Sequence, residues 1–141
     1  MTSPDLTSRS LFLVDDEPLI LESFGQLLRS HLSCQVHTFA SPQEALQHLP
    51  SLNPGMIITD YQMPGMNGLK FLAQAQRFVP DSNFVIITGG PIDFASEELQ
   101  LLPALKGIMR KPLHWKKLAE FVVDNWPDEA RPLLHEPALA S

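Results

Sequence analysis

Four short apolar runs, each closed by polar or flexible residues, set the pattern of this chain. Leu11-Phe12-Leu13-Val14 leads into Asp15-Asp16-Glu17, and Met56-Ile57-Ile58 into Thr59-Asp60-Tyr61-Gln62. Phe84-Val85-Ile86-Ile87 leads into Thr88-Gly89-Gly90, and Gly107-Ile108-Met109 into Arg110-Lys111-Pro112. Unbroken runs of this length read as strands buried on both faces. A further short strand is predicted at Val36 to Phe39, and the last of the five strands at about Lys106 to Arg110. Between the runs the spacing turns helical. Ile20, Phe24, Leu27 and His31 predict a first helix ending near His31, with Pro18 early in it, where a missing N–H does no harm. Ser41-Pro42-Gln43-Glu44 is a helix start: Ser41 as N-cap, Pro42 at the first position, Glu44 completing a capping box. That second helix should end near Leu49. Leu69, Leu72 and Ala73 mark the buried side of a third, which stops before Pro80. A short fourth, Phe94 to Leu102, is bracketed by Pro91 and Pro103 and capped by Asp93. The fifth runs from Leu113 to about Asn125 and buries Leu118, Phe121 and Val122. Strands alternating with helices mean βαβ units around a parallel sheet, an α/β fold.

Length and composition narrow the picture without changing it. The 141 residues suit one core: a loose lead-in over 1–9, a domain over 10–126, and a mobile tail or linker start over 127–141. No apolar run approaches membrane-spanning length, and the start lacks the pattern of a secretory signal. The single Cys34 fits a reducing compartment and fills space near the second strand. A net charge of −6 without a long basic block disfavours direct nucleic-acid binding. The expected location is the cytoplasm, with no membrane partner. The five histidines read as structural or solvated, Trp115 and Trp126 as packing residues, and Lys106, Arg110, Lys116 and Lys117 as a solvated basic face.

Candidate chemistry lies where the runs end, because ligands of open parallel sheets bind outside the carboxyl ends of the strands. Asp15, Asp16, Asp60, Thr88 and Lys111 all fall at that edge. At ~4 Å and an effective dielectric near 20, each close pair of carboxylates repels by about 4 kcal/mol. Either a carboxylate takes a proton or a cation binds. A hard divalent cation plus the Lys111 ammonium balances three carboxylates to neutrality, and oxygen donors of this kind suit Mg²⁺. Asp15 and Asp16 suffice to hold a metal, which leaves Asp60 an oxygen for nucleophilic attack on a phosphoryl group, giving an acyl phosphate. Lys111 and the Thr88 hydroxyl would then stabilise the phosphoryl oxygens, and Gly89 leaves room for the incoming group.

As a set and in this order, Asp15-Asp16, Asp60 with Met63-Pro64 and Gly68 behind it, Thr88, and Lys111-Pro112 resemble the receiver domain of two-component response regulators, from about Leu11 to Asn125. The resemblance implies a flavodoxin-like, doubly wound five-stranded parallel sheet in the order 2-1-3-4-5 with helices on both faces. It implies Asp60 as phosphoacceptor, Asp16 and Asp60 as Mg²⁺ ligands with the Gln62 backbone carbonyl, and Asp15 acting through water. Thr88 and Lys111 would bind the phosphoryl group, and the Lys111–Pro112 bond would be cis. The implied donor is a phosphohistidine on a sensor histidine kinase or histidine phosphotransfer protein, and the chain would catalyse only its own phosphorylation and dephosphorylation. No output module is visible after Asn125, so signalling is expected through a downstream protein held on the face of the fourth helix, fifth strand and fifth helix.

One position departs from the family. Receivers usually carry Tyr or Phe three residues before the lysine, and here that residue is Ile108, stiff and without a hydroxyl. Switching is therefore expected through Gly89, Gly90, Pro91 and the fourth helix. Ile108 also leaves room for an alternative, a phosphate relay or sink with no conformational output. An Asp-nucleophile phosphatase would need an acid two residues beyond Asp60, where Gln62 stands. A flavin site is disfavoured because the loop after the first strand is acidic where a phosphate cradle is expected.

Overall fold

The computed structural model of the chain describes residues 9–92 and 102–135. Five strands form one parallel sheet: β1 (Ser10–Val14), β2 (Val36–Phe39), β3 (Pro54–Asp60), β4 (Asn83–Thr88) and β5 (Leu105–Arg110), in the order β2-β1-β3-β4-β5. This is the order the resemblance implied. Four described helices, α1 (Pro18–His31), α2 (Pro42–Gln47), α3 (Gly68–Phe78) and α4 (Trp115–Asp124), connect or follow the strands. The helix expected at 94–102 lies outside the described residues except for Leu102, and so do residues 1–8 of the lead-in over 1–9 and residues 136–141 of the tail.

Alternate side chains of the central strands feed two cores. Phe12, Val14, Ile57, Phe84 and Ile86 pack with Phe71, Leu72 and Ala75 of α3 and with Ala45 of α2. Leu11, Leu13, Met56, Ile58, Val85 and Ile87 face the other way, against Leu28 of α1 and Leu118 and Val122 of α4. Covering both faces is what makes β1 and β3 wholly buried and their sequences apolar without alternation. β5, at the sheet edge, alternates instead, with Lys106, Ile108 and Arg110 exposed.

Ser41 caps α2 as the sequence predicts, and Asn67 caps α3, which the sequence reading did not single out. The Ser41 hydroxyl accepts the Glu44 N–H at 3.1 Å, and Asn67 caps α3 by accepting the Lys70 N–H at 2.9 Å. Ser41→Ala should therefore cost about 1 kcal/mol in a urea titration; an unchanged midpoint would mean that this cap contributes nothing to stability.

Three expectations are corrected. Ala73 is exposed and Phe71 is buried, because α3 turns its 68/71/72/75 stripe to the sheet. α4 begins at Trp115, not Leu113, since His114 occupies the N-cap and its Nδ1 accepts the Lys116 N–H at 3.1 Å. Phe121 is only half-buried, its ring lying beside Gly107 of β5. Residues 127–135, the described part of the segment read as a tail or linker start, run back to the end of α1. There Leu32 and Leu134 form an antiparallel bridge, and the Ser33 N–H donates to the Leu133 carbonyl at 3.0 Å. The physical reason is apolar: Leu134 covers the core that holds Leu32 and half-buried Cys34. Burial pushes the Cys34 thiol up to about 11, as suits a space-filling rather than a reactive cysteine.

Candidate functional site

The site is assembled by strand register. Val14 pairs with Thr59 on β3, and Asp60 pairs with Ile87 on β4, so the residues just past these rungs emerge together at the carboxyl edge. Thr88 pairs with Arg110, and the Lys111 N–H donates to the Thr88 carbonyl at 2.8 Å, which brings the lysine to the same edge. The Lys111–Pro112 peptide bond is cis, as the resemblance implied. Gly68 lets α3 approach: a Cβ there would stand 2.7 Å from the Asp60 carbonyl oxygen, and the Gly68 N–H donates to the Tyr61 carbonyl at 2.8 Å.

Asp15, Asp16 and Asp60 come together with one carboxylate oxygen each inside 4.8 Å. Asp15 and Asp60 are buried, at 3% and 6% exposure, while Asp16 is exposed. The Lys111 ammonium lies 3.5 Å from Asp15 Oδ2 and 3.6 Å from Asp60 Oδ1. Burial, then the neighbouring Asp15 charge, pushes the Asp60 carboxyl from 3.8 up to about 6, against the pull of Lys111. Burial raises Asp15 as well, opposed by the Glu17 N–H that its Oδ1 accepts at 2.9 Å and by Lys111. Burial alone would lower Lys111, but Asp15, Asp60 and Glu17 outweigh it and the net shift is upward. One ammonium thus leaves the acids under-compensated. That excess of negative charge, in a set made wholly of oxygen donors, fits a hard divalent cation.

Two predicted residues sit differently from the acids. Thr88 is buried, and its hydroxyl is engaged by Gly90, donating to the Gly90 carbonyl at 2.9 Å and accepting the Gly90 N–H at 3.2 Å. Gln62 is exposed in the loop after β3, with its side-chain amide close to Gly90. Sequence reasoning missed Glu17, whose Oε1 accepts from Lys111 Nζ at 3.4 Å. Its signal was a glutamate standing where a Ser, Thr, Asp or Asn would cap α1. Beside the acids, Leu13, Ile20, Phe24, Ile87 and Pro112 line an apolar cavity of about 210 Å³, with Asp15 and Lys111 also on its wall. A wider groove of about 860 Å³, lined by Arg9, Arg77, Lys106 and Trp126 among others, contains none of these site residues.

A parallel sheet in this order, with an acidic cluster and a lysine at its carboxyl edge, defines the class of flavodoxin-like signalling domains. The chain belongs to the response regulator receiver domain family, whose sequence profile matches residues 11–122. It is 35% identical over 92 residues to the C4-dicarboxylate transport transcriptional regulatory protein DctD of Rhizobium meliloti, covering 64% of this chain and 20% of that protein. It is 32% identical over 114 residues to the positive alginate biosynthesis regulatory protein of Pseudomonas aeruginosa, covering 79% of this chain and 44% of that one. This chain therefore spans less than half the length of either relative. Among solved structures, an uncharacterized protein from Neptuniibacter caesariensis superposes with a TM-score of 0.72 at 31% identity, covering 83% of this chain and 86% of that one. A CheY-like receiver domain protein from Methanospirillum hungatei superposes with a TM-score of 0.71 at 23% identity, covering 82% and 91%, which speaks to the fold. The domain is a phosphoacceptor signalling module of two-component systems. No described helix is long and apolar enough to cross a membrane.

Proposed function

We propose that Asp60 is the residue that accepts the phosphoryl group, from a phosphohistidine of a sensor histidine kinase or histidine phosphotransfer protein. The observation that carries this is the convergence of Asp15, Asp16 and Asp60 within 4.8 Å beside an ammonium 3.6 Å from Asp60 Oδ1. An Asp60 oxygen forms the new bond to phosphorus while the P–N bond to the donor imidazole breaks, and the ring nitrogen keeps the electron pair. Lys111 draws off the charge that collects on the phosphoryl oxygens. Thr88 reaches the third oxygen once its hydroxyl leaves Gly90. Mg²⁺, when held by Asp16, Asp60 and the Gln62 carbonyl with Asp15 behind, supplies the rest of the charge neutralisation. The chain acts on its own aspartyl phosphate and turns over no other substrate.

Exposed Leu19 and the cavity between Ile20, Phe24 and Pro112 give the donor protein apolar surface beside the acceptor. The downstream protein is read onto the outer side of β5, where Ile108 is 40% exposed between Lys106 and Arg110. The negative charge of the chain argues against nucleic acid as that target, and the cytoplasm is the compartment where histidine-kinase donors act. Ile108 also supports a second reading, a relay or sink that passes the phosphoryl group on without changing shape, because its side chain, 40% exposed, is stiff and has no hydroxyl to exchange between environments.

Incubation with Mg²⁺ and acetyl phosphate tests the acceptor. Intact mass should show one added phosphoryl group on the native chain and none on Asp60→Asn. A native chain that stays unmodified, or a variant labelled equally, overturns the assignment. Partner affinity measured on the labelled chain then separates the two readings, since a sink binds its partner equally before and after labelling.

A further inference from the structure

We infer that Glu17 is a positioning residue that holds the Lys111 ammonium at the rim of the site and so limits how fast Asp60 is phosphorylated. The inference rests on Asp60 being the acceptor.

Lys111 is divided among three carboxylates at nearly equal distance: 3.4 Å to Glu17, 3.5 Å to Asp15 and 3.6 Å to Asp60. Each is longer than the ~2.7–2.9 Å of a well-made charge-assisted hydrogen bond. The ammonium is therefore shared and committed to none. Two of the three partners are buried, with side chains 4% and 7% exposed, and belong to the acidic cluster. The Glu17 side chain is 61% exposed and stands outside that cluster. An exposed pair of this kind adds little to stability, so its consequence lies in where it keeps the lysine.

The backbone supports this placement. Glu17 occupies the N-cap of α1 yet makes no side-chain cap bond, and Pro18 follows it. Its N–H is tied to Asp15 Oδ1 at 2.9 Å, which fixes the turn that carries the side chain. A glutamate left uncapping at a fixed cap position, its carboxylate on Lys111, is arranged to hold the lysine. When a phosphoryl group reaches Asp60, Lys111 must leave Glu17 to meet the new oxygens. Neutralising Glu17 removes that competition.

With Mg²⁺ and acetyl phosphate, which gives its phosphoryl group to an Asp60 oxygen and releases acetate, Glu17→Gln should label about two- to fivefold faster than the native chain, the scale of one exposed ion pair. Glu17→Asp separates reach from charge. It keeps the charge but shortens the arm, so it should match Glu17→Gln. The Lys111→Met background separates action through lysine from simple repulsion of the anionic donor: there Glu17→Gln should change the rate by less than about 1.5-fold, within the usual scatter of independent sites. In metal-free protein, the ¹⁵Nζ resonance of Lys111 should move in Glu17→Gln and Glu17→Asp alike. Equal rates for native and Glu17→Gln chains, a native-like rate for Glu17→Asp, an undiminished gain in the Lys111→Met background, or an unmoved resonance each overturns the inference. Failure of the native chain to label at all would instead remove the reading of Asp60.

Discussion

Metal-free protein carrying Asp60→Asn should be more stable than the native chain by about 3 kcal/mol at pH 7 and above. Asp60 is raised from 3.8 to about 6 by burial and by Asp15, and each pK unit is worth about 1.4 kcal/mol. Between those two values the folded chain binds more protons at this group than the unfolded chain does. Folding stability from Asp60 is therefore lost as pH climbs from about 4 to about 6, and the full penalty stands above that window. Asp15 is shifted in the same direction and adds to the slope. Urea titrations from pH 4 to 8 should show the native chain weakening relative to Asp60→Asn across the window, and saturating Mg²⁺ should narrow the gap at pH 7. A native chain as stable as the variant throughout would mean that the acids are already neutralised within the protein, and the argument for a divalent cation would go with it.

Gly68→Ala should damage both fold and site, whereas Gly55→Ala should damage the fold alone. A Cβ on Gly68 would lie 2.7 Å from the Asp60 carbonyl oxygen and 3.1 Å from the Tyr61 Cα, both backbone atoms that can yield only by moving the loop. Overpacking of this kind costs about 1–3 kcal/mol, and a shift approaching 1 Å in Asp60, the proposed acceptor, can cost up to about 100-fold in rate. Gly55 lies on β3 with Asp60, and a Cβ there would run into the Trp126 ring. Its substitution should lower the urea midpoint comparably while acetyl phosphate still labels Asp60 at the native rate. Equal loss of labelling in the two variants would show that general destabilisation, and not displacement of Asp60 by α3, sets the rate.

Much of this was legible because burial on both faces writes itself as apolar runs. The four runs became β1, β3, β4 and β5, and the residues that end them reached one edge. What escaped had no local signature. Ala73 and Phe71 both fit a helical stripe, and only the packing of α3 on the sheet decided that the ring goes in and the methyl out. The run Gly107-Ile108-Met109 has the composition of a central strand; the edge place of β5 came with the strand order that the resemblance implied, and the exposure of Ile108 follows from it. The tail reads as polar and proline-rich, but Leu134 finds an apolar seat that is far away in sequence.

The acids and the lysine reveal the same division. Residue types and their order determined which groups meet: three carboxylates, one ammonium, a hydroxyl and a glycine-flanked loop, which an alternating α/β chain brings to one edge. Tertiary structure decided how the charge is shared. The near-equal reach of Lys111 to Asp15, Glu17 and Asp60 and the burial that lifts Asp60 follow from how strands far apart in sequence are set in register. Local sequence carries propensity and charge, but distance and desolvation exist only once the sheet has closed its ladders.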